Sequence, residues 1–169
     1  MPYRTALFAL SLAWPALVHA AEVTAEGVDL ERTVPCNGQD VGIYGSGNSI
    51  ELTGDCGAII VHGNGNSVTF ENGASLTITG IDHAVQKGIV GALIVDGKGN
   101  IIDVSVENEG EGARVVISGA EHDVTLNLVS AADLVVNGLK HRVRWAILDD
   151  VPEPNIQIAG FDSTVEKSR

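Results

Sequence analysis

The chain has 169 residues, a formal net charge of −12, 20 glycines and only 4% aromatic residues. So negative a chain lacks the Lys/Arg surface that nucleic acid or an anionic membrane demands, and neither is expected as a partner. Abundant Gly, Val and Ile with few aromatics favours strands and turns over helices.

Residues 1–20 have the pattern of an export signal: Arg4, the apolar run "ALFALSLAWPALV" (Ala6–Val18), then "VHA" with small flanking residues. The run is shorter than the roughly 20 residues that cross a bilayer. No Cys follows it, so a lipid-anchored form lacks its attachment residue. Signal cleavage would leave about 149 residues of net charge −13, with no membrane insertion afterwards. The expected location is the periplasm or the exterior. In that oxidising setting the two cysteines, Cys36 and Cys56, are read as a disulfide.

Residues 21–35 lack the repeat that follows and are read as an N-terminal cap; the repeat domain is assigned to 36–169. From there the chain is periodic. Anchor glycines recur at Gly45, Gly63, Gly80, Gly97, Gly119, Gly138 and Gly160. Numbered from each anchor, stations −4, −2, +5 and +7 are apolar in nearly every unit, with Lys87 and Lys167 the two exceptions, both at +7. Station +3 reads Asn48, Asn66, His83, Asn100, His122, His141, Ser163. Each unit is thus two short alternating strands around a tight corner. A glycine there suits a positive φ, and Asn or His suits bracing the corner.

Like residues recurring at the same depth through seven units point to stacked coils. The predicted fold is all-β, a parallel β-solenoid of about seven coils; an antiparallel sandwich or barrel is the alternative. Cys36 and Cys56 occupy similar stations of successive coils, within disulfide reach if the coils stack. Two longer connections, "ENEGEGAR" (107–114) and "DDVPEPN" (149–155), are expected to protrude.

The Cys36/Cys56 pair and the units "YGSGNSIELTGDCG" (Tyr44–Gly57) and "VHGNGNSVTFENG" (Val61–Gly73) resemble an exported bacterial family known as domain of unknown function 3060. The resemblance is strongest over Cys36–Gly73. It implies a secreted or periplasmic β-rich repeat domain, and brings no catalytic residue.

No catalytic, cofactor or metal set is read from the residues. The outward +6 row is Glu51, Thr69, Gln86, Asp103, Thr125, Arg144, Glu166. At about 4.8 Å per coil, Glu51 and Asp103 would be roughly 14 Å apart, too far for a glycosidase pair. Arg142 and Arg144 could grip an anion, but salt bridges to neighbouring acids are the simpler expectation. His83, His122 and His141 could meet a metal; Asn100 interrupts their column, and corner bracing is favoured. One column is out of place: station −3 should face outward, yet it holds Ile60, Ile94, Val116 and Val135. That strip is the candidate partner face, for a protein partner or a second copy, unless the chain's own ends cover it. A glycan ligand is the weaker alternative. The expected function is a non-enzymatic structural or binding module, with a small polysaccharide-binding or polysaccharide-active protein as the other reading.

Overall fold

The computed structural model describes residues 22–108, 110 and 112–168; the export segment lies outside them. Fourteen strands form the structure, with no helix among the described residues. They are β1 (Val23–Val28), β2 (Glu31–Pro35), β3 (Val41–Ser46), β4 (Ser49–Asn64), β5 (Ser67–Ile81), β6 (Ala84–Val90) and β7 (Ala92–Lys98). They continue with β8 (Ile101–Val106), β9 (Ala113–Ala120), β10 (Asp123–Leu128), β11 (Ala132–Leu139), β12 (Arg142–Ile147), β13 (Asn155–Phe161) and β14 (Thr164–Lys167).

Every strand pairing is parallel, and the registers join equivalent stations of successive units: Gly45 opposite Gly63, Gly63 opposite Gly80, Gly80 opposite Gly97. The molecule is a parallel β-solenoid, not a barrel or sandwich. One face holds β1, β3, the end of β4, the end of β5, β7, β9, β11 and β13; another holds β2, the starts of β4 and β5, β6, β8, β10, β12 and β14. The long strands β4 and β5 bend across a third side, carrying Cys56 opposite Gly73.

The structure has about eight coils, one more than the repeat marks. The presumed cap is itself a coil: Val23, Ala25 and Gly27 of β1 lie opposite Val41, Ile43 and Gly45, and Val34 of β2 opposite Leu52. Gly27 is thus an eighth anchor. The repeat is hidden there because Leu30 stands at the Asn/His station and Arg32 at an inward one. An end coil has a neighbour on one side only, so Arg32 can turn to solvent.

Inward stations form a continuous apolar core, with Ile43, Val61, Ile78, Val95 and Ile117 all fully buried. The Lys87 exception has a local cause. The β6–β8 register shifts between Gln86 and Ile89, and Lys87 takes φ 64° and is exposed. Gly88 then lies directly against the Phe70 ring of the preceding coil, so Phe70 fills the space a +7 side chain would occupy.

The corner explains the glycines. Anchors Gly45 to Gly138 have φ between 107° and 129°. A Cβ on any of them would strike the carbonyl oxygen of the anchor one coil earlier. Station +2 is left-handed too, yet it takes Asp82, Glu121 or Lys140 as well as Gly47, Gly65 and Gly99; a Cβ at Gly65 would meet open space, one at Gly47 or Gly99 the carboxylate of Asp29 or Asp82.

Station +3 carries a ladder of side chains through the interior. The main-chain N–H groups of Leu30, Asn48, Asn66, His83, Asn100, His122 and His141 donate to Asn48 Oδ1, Asn66 Oδ1, His83 Nδ1, Asn100 Oδ1, His122 Nδ1, His141 Nδ1 and Ser163 Oγ, at 2.9–3.4 Å. The asparagine Nδ2 groups donate onward, as from Asn66 to Gly45 O (3.1 Å) and His62 O (3.3 Å). Asn and His interchange here because each offers an acceptor to the coil behind and a donor to its own corner. At the N-terminal end Cys36 and Cys56 form the expected disulfide, Cα–Cα 4.8 Å, between successive coils.

Candidate functional site

Parallel registry places the −3 residues in one row: Gly42, Ile60, Thr77, Ile94, Val116, Val135, Gln157. All four candidate residues are therefore on one face. Ile94 is 45% exposed, while Ile60, Val116 and Val135 are half-buried among their row neighbours. The described chain leaves Ile94 open, so its own coils do not provide full cover.

Small residues line one side of the strip: Ala58, Ser75 and Ala92 continue into Arg114 and Asp133, which lie opposite each other across β9 and β11. The other side is polar, with Tyr44, His62, Thr79, Asp96, Ser118 and Asn137. Tyr44 Oη donates to Glu22 Oε1 (3.0 Å), and His62 Nδ1 pairs with Thr79 Oγ1 at 2.8 Å. Desolvation and then the Glu22 carboxylate raise the Tyr44 pKa, holding the phenol neutral.

The face is an apolar seam with a polar margin, and the exposed side chains of Leu139 and Phe161, at station +1, extend its edge on β11 and β13 at 49% and 76% exposure. These two were missed in the sequence. Their column also holds Val28, Ile81 and Ala120, but Ser46, Asn64 and Lys98 interrupt it, so no continuous apolar run announces it.

The face built by β2, β6, β8, β10, β12 and β14 is polar. Its +6 row keeps the expected order, with Thr69 and Gln86 between Glu51 and Asp103. The acids do not converge. Arg142 Nη1 and Arg144 Nη2 both meet Asp123, at 3.4 and 2.7 Å, which is the structural pairing expected of them.

The histidine column is interior bracing. His83, His122 and His141 are buried to 1% or less, and Nδ1 of each accepts a main-chain N–H. Their Nε2 atoms face Thr79 O, Ser118 O and Asn137 O. Both nitrogens are engaged in the fold. Among the described residues no group of three His, Cys, Asp or Glu side chains is placed to hold a metal ion.

No curated protein matches this chain. No solved structure matches it either. Residues 43–88, spanning the Gly45, Gly63 and Gly80 corners, match the model of the family described as "Protein of unknown function (DUF3060)", the family that the Cys36–Gly73 repeats resemble.

Proposed function

We propose that the protein is an exported, non-enzymatic β-solenoid that works as a structural or binding module, presenting the Ile60, Ile94, Val116 and Val135 face to a protein partner. The observation that carries this reading is Ile94, 45% exposed within an apolar row on a rigid sheet. An exposed apolar patch with a polar rim has the composition of an interaction site. The disulfide and the signal-like N-terminus support a periplasmic or secreted location.

Size bounds what the seam can do alone. Five coils by the −5 to −1 width of each strand give a seam of roughly 24 by 13 Å, or about 300 Å². A stable interface takes about 800 Å² per partner. The seam alone is therefore too small to hold either a partner or a second copy, and a stable contact of either kind would extend beyond it along the face.

Light scattering on the mature, oxidised protein tests this directly. A monomer that captures a partner from the native envelope, with capture lost in Ile94→Glu and stability unchanged, supports the reading. A stable homodimer would reassign the face to self-assembly, and unfolding by Ile94→Glu would show that the strip is core.

Polysaccharide binding is the second reading. It draws on an open trough lined by Glu31, Thr33, Ser49, Glu51, Ser67 and Thr69, whose carboxylates and hydroxyls match sugar hydrogen bonding. Binding to a glycan panel that weakens in Glu51→Gln would favour it; no binding across the panel would remove it.

A further inference from the structure

Three of the four rungs from His83 to His141 are imidazoles, with Asn100 between them, and their roles leave no place for another proton. His83, His122 and His141 each use Nδ1 as acceptor, from Asn66 N–H (3.1 Å), Asn100 N–H (3.1 Å) and His122 N–H (3.4 Å). A main-chain N–H can only donate, so each Nδ1 must keep its lone pair. Each Nε2 then carries the single ring proton and donates it to Thr79 O (3.3 Å), Ser118 O (2.8 Å) or Asn137 O (2.9 Å). Protonating any ring would set an N–H against an N–H in the interior.

The surroundings offer little to stabilise an imidazolium. His122 and His141 stack at 5.0 Å with a 7° interplanar angle, so charge on one would press on the other. Of the acids around that corner, Glu121 lies near Lys98 (3.3 Å) and Lys140 (4.0 Å), and Asp123 is held by Arg142 and Arg144. Asp162 shares the outer surface there with Lys140 and Arg142. Asp96 acts on His122 from β7, and its Oδ1 already accepts from Gly97 N–H (2.9 Å). Around His83 stand Asp82, His62 and the carbonyls of Thr79 and Gly63. The N-terminal corners differ, because Asn48 and Asn66 do not titrate and the Cys36–Cys56 disulfide closes that end.

We propose that the histidine corners make the C-terminal coils an acid-sensitive segment of the rod, loosening below neutral pH while the asparagine-braced, disulfide-closed N-terminal coils stay folded. His122 and His141 belong to the coils that present Val116 and Val135, so acid would dismantle that stretch of the apolar face.

The sign follows from burial. Desolvation lowers the His83 and His122 pKa values below 6.5, against the smaller opposing pull of their carbonyl contacts. The unfolded chain takes up these protons near pH 6.5 and the folded chain does not. Their contribution is complete above about pH 6.5 and falls as pH drops through that value, by up to about tenfold per histidine per pH unit in the opening equilibrium.

Hydrogen exchange on the oxidised chain at about pH 7 and about pH 5.5 tests it, after correction for intrinsic exchange rates. Protection over residues 100–147 is expected to fall by about tenfold or more while residues 41–73 hold theirs. The double variant His122→Asn/His141→Asn, which keeps an acceptor at both corners, should remove most of that loss. No loss in the parent, uniform loss along the chain, or an equal loss in the variant would overturn the proposal. If the variant does not fold, the ¹⁵N shifts of the parent's His122 decide: a neutral Nε2–H ring at about pH 6 supports it, and an imidazolium there at that pH overturns it.

Discussion

Replacing Asn66 with Leu isolates the worth of one rung of the ladder. Asn66 is fully buried; its Oδ1 accepts from Asn48 N–H at 3.0 Å, and its Nδ2 donates to Gly45 O and His62 O. Leucine is of similar size but leaves that N–H without its acceptor and two carbonyls without a donor. An orphaned buried donor costs about 1–3 kcal/mol and each lost hydrogen bond about 0.5–1.5 kcal/mol. The two carbonyls keep other lone pairs for strand pairing, so a total loss of about 2–4 kcal/mol is expected. Against a typical stability of about 5–15 kcal/mol that is a large fraction. With a urea dependence of about 2 kcal/mol/M the midpoint should fall by about 1–2 M. Asn66→His is the control. It keeps an acceptor and a donor at that station, and an imidazole stacked over His83 would repeat the His122–His141 arrangement; its loss should stay within about 1 kcal/mol. Equal damage from both substitutions, or none from leucine, would refute the ladder as the source of corner stability.

Gly97→Ala should destabilise by about 2 kcal/mol or more, since φ is 117° and a Cβ would strike Gly80 O, whereas Gly65→Asn, at φ 63° with open space, should melt near the parent temperature. Reducing the Cys36–Cys56 bond, which closes a 20-residue separation, should cost about 3 kcal/mol in denaturant titrations under matched buffers. Arg144→Ala should cost less than about 1 kcal/mol, because its partner Asp123 is partly solvated and retains Arg142.

The stations that stack were legible in the sequence because stacking forces like onto like. Anchor glycines are required by contact with the preceding anchor, and inward residues by a core shared between neighbours. Where a coil lacks a neighbour or borrows from one, the pattern fades. Leu30 and Arg32 hid the first coil, since only one side of it is stacked. Lys87 breaks the apolar column because Phe70 of the coil before it fills the core there. The positive φ at station +2 was not anticipated either: Asp82, Glu121 and Lys140 share a backbone conformation but no side-chain chemistry. The apolar −3 row was readable by parity alone. Its extension to Leu139 and Phe161 was not, because exposure at the corner depends on the turn after the glycine.

The face itself is best tested by a photo-crosslinker placed singly at Ile94, at Val116 and, as control, at Thr125 on the opposite strand set, each in the oxidised protein within its native envelope. Ile94 and Val116 should give a common cross-linked species that Thr125 does not. Cross-links of equal yield from Thr125, or none from Ile94 and Val116, would contradict a partner on this face.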